Sequence, residues 1–131
     1  MLQTKSILEK IGETDGIRIS IMSRHTLNDG VTLHPNITSS SYNLWIKSLS
    51  PPNKLVGDYY KRNLPWQDFE NRYIEHIRQP KLQNEVKALA KLALEETITL
   101  LCIEDSPEYC HRRLLAEECR RYESDLILYI R

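Results

Sequence analysis

The sequence predicts an α/β fold: a small sandwich on a mostly parallel sheet, with helices on both faces. Two observations predict it. "TITLLCI" at 97–103 is an apolar, β-branched run too short for a helix. It leads through one turn into a long amphipathic segment and then into a second apolar run, "DLILYI" at 125–130. Strand, helix and strand in that order imply parallel neighbours joined by a right-handed crossover. Earlier in the chain, "LQNEVKALAKLALEE" at 82–96 carries one stripe at helical spacing: Leu82, Val86, Leu89, Ala90 and Ala93. That stripe needs a second layer to cover it. The 131 residues are expected to form one domain, 1–131, around one core.

The remaining elements follow in chain order. Residues 2–7, "LQTKSI", read as a strand or the start of a short helix. "GETDG" at 12–16 is a turn, and "IRISIM" at 17–22 alternates as a strand does. An antiparallel pairing of 2–7 with 17–23 is therefore expected. Residues 24–41 form a polar loop of a length that is often functional. "YNLWIKSL" at 42–49 puts Leu44, Trp45 and Leu49 near helical spacing, and "SPPN" stops it. "KLVGDYY" at 54–60 predicts another short helix. In "LPWQDFENRYIEHIRQP", Pro65 suits a first helical position. Trp66, Phe69, Tyr73 and Ile77 recur at helical spacing there, and Pro80 ends the segment. "SPEYCHRRLLAEECRRY" at 106–122 reads as a helix, with Ser106 or Asp105 as N-cap and Pro107 in the first turn.

Composition narrows the function. Lys plus Arg equals Asp plus Glu at 18 each, so the chain lacks the basic surplus that a general grip on nucleic acid or anionic membrane needs. No apolar run approaches the roughly 18 residues of a membrane span. The first residues carry Glu and Asp early, unlike a secretory or transit segment, so a cytoplasmic location is expected. Three cysteines, an odd number without a framework of spacings, imply reduced thiols.

Ligands of such folds bind beyond the carboxyl ends of the strands. Two loops should meet there. One carries Ser23, Arg24 and His25; the other carries Glu104, Asp105 and the start of a helix. At roughly 100° per residue, His111, Leu115, Cys119 and Tyr122 share one face, and Cys110 lies about 130° away from its centre. His111 can act as a general acid or base. Arg112 can hold a phosphate or carboxylate bidentately. Cys110, near a helix N-terminus and cations, can be a thiolate nucleophile. Each has a plainer structural alternative. Cys102 and Cys119 can be small core residues, and His111 can donate to a strand-end carbonyl. Arg112 can pair with Glu104 or Asp105 and fasten the loop. Metal is not expected, because a turn separates Cys102 from Cys110 and His111 and no second cluster exists. A phosphatase loop needs an arginine six residues after its cysteine; Glu108 and Ala116 occupy those places.

"DGIRISIMSRH", "YNLWIKSLSPPNKLVGDYY", "LPWQDFENRYIEHI" and "ITLLCIEDSPEYCHRRLLAE" occur in this order. Together they resemble the family called domain of unknown function 488, which includes the YeaO-like proteins, over about residues 15–122. The resemblance implies a compact cytosolic α/β domain found in prokaryotes and supplies no agreed reaction or cofactor. The family's Cys-His-Arg element matches Cys110, His111 and Arg112, with the histidine its most widely shared member. The arginine after the first internal strand matches Arg24.

Two functions from different classes remain. The first is a site for a small anion, phosphate or carboxylate, held by Arg24, His25 and Arg112. There His111 would move a proton, with Cys110 or Glu104 assisting. The second is a non-enzymatic interaction module whose strand-end charges are structural. Its Trp45, Tyr59, Tyr60, Trp66, Phe69 and Tyr73 region, mostly core packing with an exposed remainder that can line a pocket, would here meet a partner protein or a second copy of the chain.

Overall fold

The computed structural model describes residues 1–131. Five strands form one sheet: β1 (Leu2–Ser6), β2 (Ile17–Ser20), β3 (Leu44–Trp45), β4 (Ile98–Cys102) and β5 (Leu128–Tyr129). Their order is β3-β2-β4-β1-β5, and every pairing is parallel. Four α-helices complete the fold: α1 (Asn53–Lys61), α2 (Trp66–Ile77), α3 (Pro80–Glu95) and α4 (His111–Tyr122). No helix is long and apolar enough to cross a membrane. β4 lies in the middle with all five residues buried. A parallel strand covered on both faces requires that continuous apolar run.

The fold class is α/β, as the sequence predicts, but the helices do not divide between the two faces. The steps from β3 to β4 and from β4 to β5 run one way along the sheet, and those from β1 to β2 to β3 run the other way. Right-handed crossovers place the first pair of connections, which contain all the helices, on one face. The second pair contains no α-helix and covers the opposite face with loops 7–16 and 21–43. The side chains agree. Leu2, Ile19, Ile98 and Leu100 join Leu55, Phe69, Tyr73, Val86 and Leu115 in one core. The alternate positions Gln3, Lys5, Arg18, Ser20 and Thr99 are buried and polar. They need hydrogen-bonding loops rather than apolar helix faces. Lys5 and Arg18 both donate to the Asp15 carboxylate, and Thr99 Oγ1 donates to the Asp15 carbonyl at 2.6 Å.

Three local expectations also change. β1 and β2 are not an antiparallel pair: each pairs with β4, which lies between them. The 12–16 turn is fastened to the start of β4, since Ile17 N donates to the Thr97 carbonyl at 2.9 Å. Gly16, at φ +64°, makes this approach possible; a Cβ there would sit 2.1 Å from that same oxygen. Residues 42–49 are not a helix but β3 followed by a 3-10 turn at Lys47–Leu49. The edge of β2 captures their backbone: Asn43 N donates to Arg18 O at 2.8 Å and Ile46 N to Ser20 O at 2.9 Å. The last long helix starts at His111 rather than near Ser106, because Cys110 has extended backbone angles, φ −138° and ψ 139°. α2 and α3 follow their predicted stripes closely, and Pro80 opens α3.

Candidate functional site

The connections leaving β2 and β4 meet beyond the carboxyl ends of those strands and enclose a cavity of about 350 Å³. One wall is aromatic, with Tyr59 and Tyr60 from α1, Trp66 from α2, and Tyr109. Trp66 stands edge-on to both Tyr59 and Tyr109, which fixes these rings against one another. The polar wall carries Arg24, Glu104, Cys102, Cys110 and His111.

The cysteines and histidine converge because β4 ends at Cys102 and the following turn folds back to start α4 beside it. Cys102 follows Ile98 and Leu100 in strand alternation, so it points to the helix side of the sheet. There its Sγ lies 3.7 Å from His111 Nδ1. His111 Nε2 lies 2.8 Å from the Ile21 carbonyl, an acceptor only, so Nε2 carries a proton. The strand-end bond anticipated for His111 is thus present, and it leaves Nδ1 facing the thiols. Tyr73 backs the ring edge-on at 5.4 Å. The ligand-capable atoms of Cys102, Cys110 and His111 all lie within 4.8 Å of one another. The turn that the sequence reading takes as separating them is what assembles them. The helical angles fail for Cys110 because that residue precedes the helix, and it is buried rather than turned away from the core.

The three groups perturb one another. A hydrogen bond from Cys110, the His111 ring and the Glu104 N–H outweigh burial and hold the Cys102 thiol well below its usual range. Burial, together with the neighbouring Cys102, pushes the Cys110 thiol well up. Burial lowers His111, but Cys102 and the Ile21 carbonyl raise it on balance.

The other site candidates separate. Arg24 lines the cavity, and its guanidinium has no hydrogen bond or ion pair within the chain. Glu104 also lines the cavity, where its carboxylate accepts from the Tyr60 hydroxyl. Arg112 is wholly buried and does not line the cavity. Its guanidinium donates to the carbonyls of Glu104 at 2.7 Å, Asp105 at 3.4 Å and Arg131 at 3.1 and 3.2 Å, and approaches Cys110 Sγ at 3.5 Å. It fastens the turn, as its structural alternative expects, through backbone oxygens rather than carboxylates. His25 belongs to the loop-covered face. Its Nε2 lies 2.7 Å from Ser20 Oγ, and its ring stacks on Trp45 at 4.0 Å. Burial and the Lys47 charge keep it below the ordinary histidine range. Sequence reasoning leaves Cys102 out of the site, although strand alternation was a signal for it; it names Tyr60 only within the 45–73 aromatic region, of which Tyr59, Tyr60, Trp66 and Phe69 line the cavity.

A family model described as DUF488-N3a, the active DUF488-N3 subclade, matches residues 2–123. No curated protein and no solved structure matches the chain.

Proposed function

Given that the chain belongs to the DUF488 family, we propose that its strand-end cavity binds a small molecule carrying a phosphate or carboxylate. The Cys102–Cys110–His111 cluster is then the reacting centre. The observation that carries this reading is Arg24: a guanidinium without a partner in the chain, lining the same cavity as the cluster. Such a group matches a planar or tetrahedral oxyanion bidentately. Low-dielectric walls strengthen its pull. A volume of about 350 Å³ suits a small ligand, and the aromatic wall supplies the apolar contact such sites use. The description of the matched subclade as active supports chemistry over a purely structural role.

Thermal unfolding tests the reading. The probes are inorganic phosphate and a panel of nucleoside phosphates, sugar phosphates and small carboxylates. A ligand at a hundred times its Kd stabilises by about 2.7 kcal/mol, or several degrees for a chain of this size. The expected result is a rise in Tm for wild type and none for Arg24→Ala. No shift with any probe, or equal shifts in both proteins, would sink it.

One feature favours the interaction-module reading. Val31 and Leu33 are 81% and 74% exposed. They sit on the loop closed by the Thr26–Leu33 bridge, whose Leu27 and Asn28 line the cavity. In that reading the loop meets a partner protein, and Val31→Ser with Leu33→Ser weakens that contact while leaving the small-molecule shift untouched.

A further inference from the structure

We infer that Cys102, Cys110 and His111 form a zinc site, with a fourth coordination position open to the cavity. The inference rests on the reading of that cavity as the functional site and names what its reacting centre holds. The donor set is two sulfurs and one imidazole nitrogen, the mixture zinc prefers over the all-oxygen sets of magnesium and calcium. The spacing fits. Zinc lies about 2.3 Å from sulfur and about 2.0 Å from nitrogen, so neighbouring tetrahedral ligands are roughly 3.5–3.8 Å apart. Cys102 Sγ and His111 Nδ1 are 3.7 Å apart, and all three donor atoms lie within 4.8 Å of one another. Small side-chain rotations close the remainder.

The surrounding contacts are those of a ligand set. A metal-bound histidine donates its other ring nitrogen to a carbonyl or carboxylate, which fixes the tautomer. His111 does this through Nε2 to the Ile21 carbonyl, leaving the Nδ1 lone pair toward the sulfurs. An Arg112 N–H points at Cys110 Sγ from 3.5 Å. Such an N–H stabilises a thiolate without displacing it. Two thiolates and a neutral imidazole balance the two charges of zinc, so the buried site carries no net charge. All three residues line the cavity, so the fourth ligand, a water or a substrate atom, comes from it. Three protein ligands with one open position is the arrangement of catalytic rather than structural zinc. With the metal bound, His111 and both cysteines are ligands, and proton chemistry passes to the molecule in the fourth position.

The test uses the full chain purified under reducing conditions from zinc-supplemented medium. The expected result is one zinc per chain by elemental analysis. Cobalt replacement should give an intense sulfur-to-cobalt charge-transfer band in the near ultraviolet. In the native protein, zinc should slow thiol-reagent labelling of Cys102 and Cys110 and leave Cys119 unchanged. Cys102→Ser and Cys110→Ser should each lose the metal with their far-ultraviolet dichroism intact. Should either variant fail to fold, the wild-type titration and labelling decide alone. Wild type that takes up neither zinc nor cobalt at micromolar concentrations, or labels equally with and without zinc, overturns the inference. Arg24→Ala keeps its zinc even if it loses the phosphate-dependent shift. Failure of the anion reading and failure of the zinc reading are therefore told apart.

Discussion

Arg112 ties together two stretches of backbone that are distant in the chain. It holds the turn after β4 by the Glu104 and Asp105 carbonyls, and the end of the chain by the Arg131 carbonyl. Removing it leaves these oxygens without their donor beside buried Cys110. At about 1.5–3 kcal/mol for each charge-assisted hydrogen bond lost from these part-buried carbonyls, Arg112→Ala should cost about 3–5 kcal/mol in urea denaturation. Arg112→Lys should recover only part, because a point charge cannot reproduce the planar fork. An arginine serving only a ligand would change stability by well under that, so equal midpoints for wild type and Arg112→Ala would refute the clamp. Gly16 is the second sensitive position. At φ +64° with the Thr97 oxygen in the way of any Cβ, Gly16→Ala should lose about 2 kcal/mol or more in the same assay. Much of the site was legible at this scale. Arg24 follows from its place after a strand, and Cys110 and His111 from their place before a helix. The acceptors of Arg112 were not, because residue identity alone cannot tell a ligand oxygen from a carbonyl folded back from the far end of the chain. His25 was misplaced because nothing in the loop sequence says to which face the chain turns after β2.

Among the elements, α4 connects the core to the site. His111 opens it, and Leu115, one turn on, is fully buried against the sheet. Leu115→Ala should cost about 2–5 kcal/mol, the range for emptying a packed leucine site. Its amides from His111 onward should exchange faster with solvent; unchanged exchange would show that the packing is less tight than described. The helices were the most readable elements. In α3, all five stripe residues from Leu82 to Ala93 are buried. The short strands were the least readable. β3 has two residues, and β2 captures it by backbone bonds that side chains do not announce. The start of α4 was misread because "SPEY" carries good first-turn chemistry. The turn instead leaves Cys110 extended and folds it under β4.

Over the whole molecule, charge is buried on the loop-covered face and between helices. Burial alone would raise Asp15, but the Gly12 N–H, Lys5 and Arg18 bring it below the ordinary aspartate range. Burial likewise opposes, and Arg78 and Arg121 outweigh it, at Glu118. Both folded-state values lie below the unfolded ones of 3.8 and 4.5. Their stabilisation is therefore complete above those values and is lost as pH falls through the folded ones. Urea midpoints should hold from neutral pH to about pH 5 and then fall steeply. Asp15→Asn should be less stable at neutral pH and show a shallower acid limb; an acid limb as steep as wild type would exclude Asp15 from the effect.

The strand order also sets when the molecule can be finished. β1 finds its partners only in residues 98–102 and 128–129, and β2 also waits for β4. On a ribosome, the first strand emerges about a hundred residues ahead of its nearest neighbour in the sheet, and loop-closure entropy must be met before that pairing forms. β1 and β2 are therefore unpaired on their β4 sides while α1, α2 and α3 are being made, a period in which chaperones have a target. The sheet and the clamp from Arg112 to Arg131 are thus closed only once residues 128–131 have been made, after the turn that gathers Cys102, Cys110 and His111.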